Sequence, residues 1–249
     1  MKKLFLLLLF IGNAFFIRAQ NKIAVVAGVH SSEVIEKNTL TTWIYDGNLP
    51  DWDAVKKKYT NRIGFHAGIL TQLPFPKNAN FFFMSGVIFH NKGRKFNFTS
   101  DTLALKKRDG LPDTLINTKY NFGQKQYINY IDVPINLLYK FSLGKKAKVV
   151  ISGGPFFSLF FNGSDNRTHE VEQISNRVDE NEDLPVGEGK GQYMTLHYGI
   201  NGYTGVEFNR IFLTVNYSRG IRSFFKSKFY EGGFHHQVIG CTIGVFLGN

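Results

Sequence analysis

The chain has 249 residues, a formal charge of +11, 15% aromatic residues with 25 Phe, and a single cysteine, Cys241. One cysteine excludes an internal disulfide framework, so stability must come from a backbone ladder and packing. No stretch beyond the first 20 residues is apolar and long enough for a helical membrane span.

The chain opens with Lys2 and Lys3, an uncharged apolar run from Leu4 to Ile17, and then Arg18-Ala19. This order of basic start, apolar core and small residue reads as a secretory signal peptide over residues 1–19, with one domain over 20–249. No cysteine follows the cleavage point, so no lipid anchor is expected. An exported basic protein meets anionic lipid head groups rather than nucleic acid.

The rest of the chain alternates apolar and polar residues with a period near two. Strands are expected at 22–35, 62–75, 81–98, 127–143, 149–162, 193–208, 211–225 and 235–249. Long connections (36–61, 99–126, 163–192, with a moderate one at 226–234) alternate with short ones at 76–80, 144–148 and 209–210. Outer-membrane barrels show this asymmetry, and an even strand count puts both termini on the periplasmic side.

The chemistry of the faces separates a membrane barrel from a soluble one. Thr214, Asn216 and Ser218 oppose Ile211, Leu213, Val215 and Tyr217. Val238, Gly240, Thr242, Gly244 and Phe246 oppose Ile239, Cys241, Ile243, Val245 and Leu247. A soluble sheet would collect Lys and Glu on its solvent face. Here the less apolar rows are mostly small and neutral, which suits the crowded lumen of a narrow barrel, and the apolar rows suit lipid. In "YINYIDVPINLLYKF" (127–141), Ile131, Val133 and Ile135 then face hydrocarbon while Asp132 points inward. Pro134 cannot donate to the ladder, and a local bulge or one missing bond is expected there.

This stretch, Tyr130-Ile131-Asp132-Val133-Pro134-Ile135 through Lys140-Phe141, resembles the PorT-like outer-membrane β-barrel proteins of Gram-negative bacteria. So do Gly153 to Ser158, the hairpin Gly202 to Ile221, and the strand pair Gly64 to Gly93. Asp132 stands where that family usually carries Glu. The resemblance implies an outer-membrane barrel, and a named member associates with the type IX protein secretion and gliding machinery.

Asp132 reads either as a ligand or proton site or, more simply, as a lumen charge paired with a base. His90 and Lys92 are expected near its height, and Lys140 is a candidate partner for Glu207 nearer the periplasmic end. Lys56, Lys57 and Lys58, with Lys106, Lys107 and Arg108, sit in the expected outer loops as candidate lipopolysaccharide contacts. His235-His236 lacks the converging ligands a metal needs and reads as a polar rim pair. Gly187 to Gly191 lacks the Lys-Ser/Thr ending of a phosphate loop and reads as flexible punctuation. No G-x-S-x-G elbow is present. No cofactor and no catalytic residue is assigned.

The expectation is an all-β protein: an eight-stranded antiparallel up-and-down transmembrane β-barrel in the cell outer membrane. Its partners are expected to be outer-membrane lipid, lipopolysaccharide and a surface protein assembly. Its role is structural or interactive, not enzymatic. An outer-membrane lipid enzyme and a narrow pore are the alternatives.

Overall fold

The computed structural model describes residues 22–37, 59–76, 78–108, 111–144, 146–172, 176–226 and 233–247. The proposed leader and Lys56 to Lys58 lie outside the described residues. Nearly everything described is strand: β1 (Lys22–Lys37), β2 (Tyr59–Phe75), β3 (Asn78–Arg108), β4 (Leu111–Ser142), β5 (Ala147–Val171), β6 (Asn176–Asp183), β7 (Gln192–Tyr193), β8 (Leu196–Phe208), β9 (Ile211–Gly220), β10 (Phe225–Lys226) and β11 (Gly233–Leu247).

Eight of these close into a ring in the order β1-β2-β3-β4-β5-β8-β9-β11. Each pairs antiparallel with the next, and β11 returns to β1 in an unbroken register from Ile23↔Leu247 to Lys37↔Gly233. Closure is what lipid demands, because an unpaired backbone group in hydrocarbon has no water to satisfy it. The termini of the ring and the turns β2–β3, β4–β5 and β8–β9 all lie at one end.

The two sides of the wall differ as the alternation predicts. Leu213, Val215, Ile239, Ile243 and Val245 are exposed on the outside, whereas Phe212, Thr214, Val238, Thr242 and Phe246 are buried inside. Aromatic residues gather at the two borders of this apolar belt, where amphipathic rings sit best. At the terminal end Tyr139 lies 4.6 Å from Phe81 and 4.4 Å from Phe141, centroid to centroid. At the other end Phe89 lies 5.8 Å from Phe65 and 6.4 Å from Phe161.

Three expectations need correction. Residues 99–126 are not an open loop: β3 and β4 continue as one hairpin to Arg108↔Leu111. Residues 163–192 are likewise part strand, with β5 running to Val171 and folding back as β6. The polar residues there look like loop composition, but outside the membrane a paired ladder tolerates polar residues on both faces. The sixth segment begins at Leu196, with Gln192–Tyr193 a separate short strand pairing β10 (Phe225–Lys226). Of the two outcomes expected at Pro134, the interrupted ladder is found and the bulge is not. The β3–β4 register is the same at Ser85↔Ile135 and Ile88↔Asp132, with the two intervening pairs missing. A matching gap in β4–β5 lies between Pro134↔Phe156 and Leu137↔Gly153, opposite Pro155. Each proline lacks the N–H for one rung, so each opens one ladder without shifting it.

Candidate functional site

The inner face of the barrel alternates charged and apolar layers. At the terminal end, the Lys140 ammonium on β4 donates to the Glu207 carboxylate on β8 and, at 2.6 Å, to Gln72 on β2. Lys22 on β1 reaches the other Glu207 oxygen at 3.2 Å. Lys140 also lies over the Phe82 and Phe246 rings at 4.6 and 5.3 Å. One buried carboxylate thus ties together β1, β4 and β8, none of them neighbours in the ring. Above it, Ala24, Val26, Leu70, Met84, Leu138, Val150, Phe212 and neighbours form an apolar layer across the lumen.

The next layer centres on Asp132. Lys92 Nζ and His90 Nδ1 each stand 2.7 Å from its Oδ2, and the Ser158 hydroxyl donates to Oδ1. Asp132 is 5% exposed and Lys92 1%. A carboxylate buried this deeply is tolerable because the Lys92 ammonium and the Ser158 hydroxyl donate to it directly. Lys92 also sits over Tyr130 and Phe156, at 5.1 and 5.3 Å.

Beside Asp132 stands a group of histidines. Gly28 pairs His66 and His30 pairs Gly64 in the β1–β2 register, and His66 pairs His90 across β2–β3. A Cβ on Gly28 would lie 2.5 Å from His66 Nε2, and one on Gly64 2.7 Å from His30 Nε2. Each imidazole therefore lies over the glycine of the other strand, and the two rings meet. Their Nδ1 atoms are 3.2 Å apart. His30 Nε2 lies 3.2 Å from the Asn91 carbonyl, and His66 Nε2 lies 2.8 Å from the Thr242 hydroxyl, which donates to Asn216 at 3.0 Å. The His90 ring centroid lies 5.5 Å from that of His30 and 4.9 Å from that of His66. A cavity of about 70 Å³ opens beside His66, His90, Asp132 and Thr242.

A second apolar layer closes the far mouth, built from Ile128, Tyr130, Leu184, Tyr193, Phe224 and Phe234. His236 stacks on Phe224 with ring centroids 3.9 Å apart, away from the first three histidines. His235, expected at the rim, is buried with it.

Beyond the mouth, β3, β4, β5 and β6 continue as a four-stranded blade. On one face Phe122 lies 5.8 Å from Phe96 and 5.0 Å from His169, whose Nδ1 is 2.7 Å from the Tyr120 hydroxyl. Asp165 accepts from Gln124 at 2.8 and 2.7 Å and from Arg167 at 2.8 Å. A groove of about 330 Å³ runs along the blade past Asn97, Lys125, Tyr127, Asn166 and Asp179. The Thr168 hydroxyl, and then Arg177, holds the Asp179 carboxyl below the usual carboxylate value. Lys106, Lys107 and Arg108 fall at the end of β3, in the hairpin arm rather than in a loop.

The structure thus brings Asp132, His90 and Lys92 together, brings Lys140 to Glu207, and keeps the two sets apart. Sequence reading missed His30, His66 and Ser158. A signal for the first two was present, since Gly28-Val29-His30 and Gly64-Phe65-His66 repeat a G-x-H pattern on neighbouring strands.

A family model described as outer membrane protein beta-barrel domain matches residues 19–226. No curated protein matches the chain. Among solved structures, Ail, the attachment invasion locus protein of Yersinia pestis, is similar at 12% identity, covering 91% of this chain and 99% of that one. The TM-score is 0.32 for its complex with the heparin analogue sucrose octasulfate and 0.30 for a second Ail structure.

Proposed function

The chain belongs to the outer membrane protein beta-barrel domain family, and from that premise we propose that it is a surface interaction protein, anchored by its barrel and presenting the β3–β6 blade to a partner. The observation that carries this reading is the asymmetry of the strands. β9 has 10 residues, about the length that crosses a bilayer, whereas β3 and β4 have 31 and 32. The excess is paired sheet, so the blade is a rigid platform with an aromatic face and a polar groove. Lumen packing supports an anchor over a pore, because two apolar layers cross the interior. We place the short turns and both termini in the periplasm and assign the protein no catalysis.

The likeness to PorT-like sequences supports a finer proposal: the partner belongs to a secretion (type IX) or gliding assembly, and the basic end of β3 rests against lipopolysaccharide phosphates. Purification from mild-detergent membranes tests both levels. Wild-type protein should bring down a surface partner. A variant with residues 100–120 replaced by a two-residue turn should still fold in the outer membrane but release that partner. Unchanged co-purification would remove the blade from the interface, and a partner outside the secretion machinery would end the finer proposal alone.

A further inference from the structure

We propose that His30, His66 and His90 form a binding site for a divalent transition-metal ion of the zinc class inside the barrel wall. Two hydrogen-bond partners fix where the imidazole protons sit. The His30 Nε2 faces a backbone carbonyl, which can only accept, so that nitrogen carries the hydrogen. The Thr242 hydroxyl gives its proton to Asn216, so it accepts from His66 Nε2. In both neutral rings the remaining nitrogen, Nδ1, is then a bare lone pair. These two lone pairs face each other at 3.2 Å. Two acceptors do not hold that position without a cation between or beside them.

The separation fits a metal. Two imidazole nitrogens held about 2.0–2.1 Å from one tetrahedral Zn²⁺ stand roughly 3.3–3.4 Å apart. The candidate ligand atoms of all three histidines lie within 4.8 Å of one another. His90 presents Nδ1 to the Asp132 carboxylate, which leaves Nε2 as its ligand atom. Metal-bound histidines are usually oriented in this way, with the second nitrogen held by a carboxylate, carbonyl or hydroxyl. His30 has the carbonyl and His66 the hydroxyl, while His90 Nδ1 stands 2.7 Å from the Asp132 carboxylate.

Two further features suit an ion. Asp132, touching both His90 and Lys92, supplies negative charge beside a site that would otherwise feel the Lys92 ammonium unopposed. The adjoining cavity of about 70 Å³ exceeds the roughly 10–15 Å³ one water needs, so a metal-bound water has room as the fourth ligand. Neutral imidazoles favour zinc, copper or nickel over calcium or magnesium, which prefer oxygen. The ion would link β1, β2 and β3 through the lumen.

The test uses the untagged full chain, refolded in detergent micelles and stripped with a chelator. Titration with Zn²⁺, followed by calorimetry and elemental analysis, should give one bound equivalent. His30→Gln and His66→Gln should each weaken binding by at least about tenfold, and Thr242→Val, which removes only the orienting hydroxyl, by about tenfold. His169→Gln, on the blade, should leave it unchanged. If a histidine variant does not fold, X-ray absorption of the wild-type zinc complex decides the matter: imidazole scattering from three nitrogens is expected. No bound equivalent would overturn the site in favour of a proton shared between His30 and His66. Binding indifferent to the His30 and His66 substitutions, or oxygen-only coordination, would overturn it as adventitious.

Discussion

At the scale of single residues, Asp132 and Val133 are neighbours in sequence with opposite surroundings. Asp132 lies in the lumen against Lys92, and Val133 lies on the lipid face beside Phe157. Asp132→Asn leaves Lys92 buried without its carboxylate and should destabilise the barrel by about 3–5 kcal/mol. Adding Lys92→Met removes the stranded charge and should recover most of that loss. Val133→Arg puts a guanidinium into hydrocarbon and should cost roughly 2–4 kcal/mol near the midplane. Denaturant unfolding of protein refolded into lipid bilayers measures all three. A harmless Val133→Arg would mean the faces are inverted. Failure of Lys92→Met to help would mean that the cost of losing the carboxylate lies elsewhere, in His90 or Ser158.

At the scale of elements, the paired prolines show how a strand absorbs a residue that cannot complete its ladder. Pro134 opens β3–β4 and Pro155 opens β4–β5, yet each register is the same on either side of its gap. Register is held by the rungs on either side and by a buried face, so one missing bond does not let the strand slip. Pro134→Ala should therefore fold to the same barrel, with stability changed by less than about 1.5 kcal/mol, the net worth of one hydrogen bond. Gel migration before and after boiling, together with the same unfolding measurement, checks this. A variant that no longer folds would show that Pro134 does more than interrupt one rung. The hairpin arms make the complementary point. Their residues are legible as polar, but pairing beyond the membrane is set by the partner strand. Composition alone made 99–126 look like a loop.

At the scale of the whole molecule, the long strands, the mouth cluster and the blade lie at one end, and the termini and tight turns lie at the other. If the blade end is the cell surface, cysteines introduced at Asn78 and Lys146 in a Cys241→Ala background should resist an impermeant reagent on intact cells. They should react after permeabilisation, and a cysteine at Asp179 should react on intact cells. The reverse pattern would invert the topology. The protein should also fractionate with outer membranes and run as a faster, heat-sensitive species on gels. Recovery from the soluble periplasm would contradict the lipid-facing assignment of Ile239, Ile243 and their neighbours.

By itself the sequence determined which residues face lipid, which face the lumen, and how many strands cross. A β-strand turns its side chains with a period of two, and lipid against lumen is a strong enough contrast to write that period into composition. Proximity on one hairpin also put His90, Lys92 and Asp132 at a common height. Only the tertiary structure decided the rest. The meeting of His30 with His66 depends on a register in which each histidine crosses the other strand's glycine. The link from Lys140 to Glu207 spans strands that are not ring neighbours. Such contacts are set by closure of the ring, which fixes the relative heights of distant strands through the summed stagger of every ladder. No local stretch of sequence carries that sum.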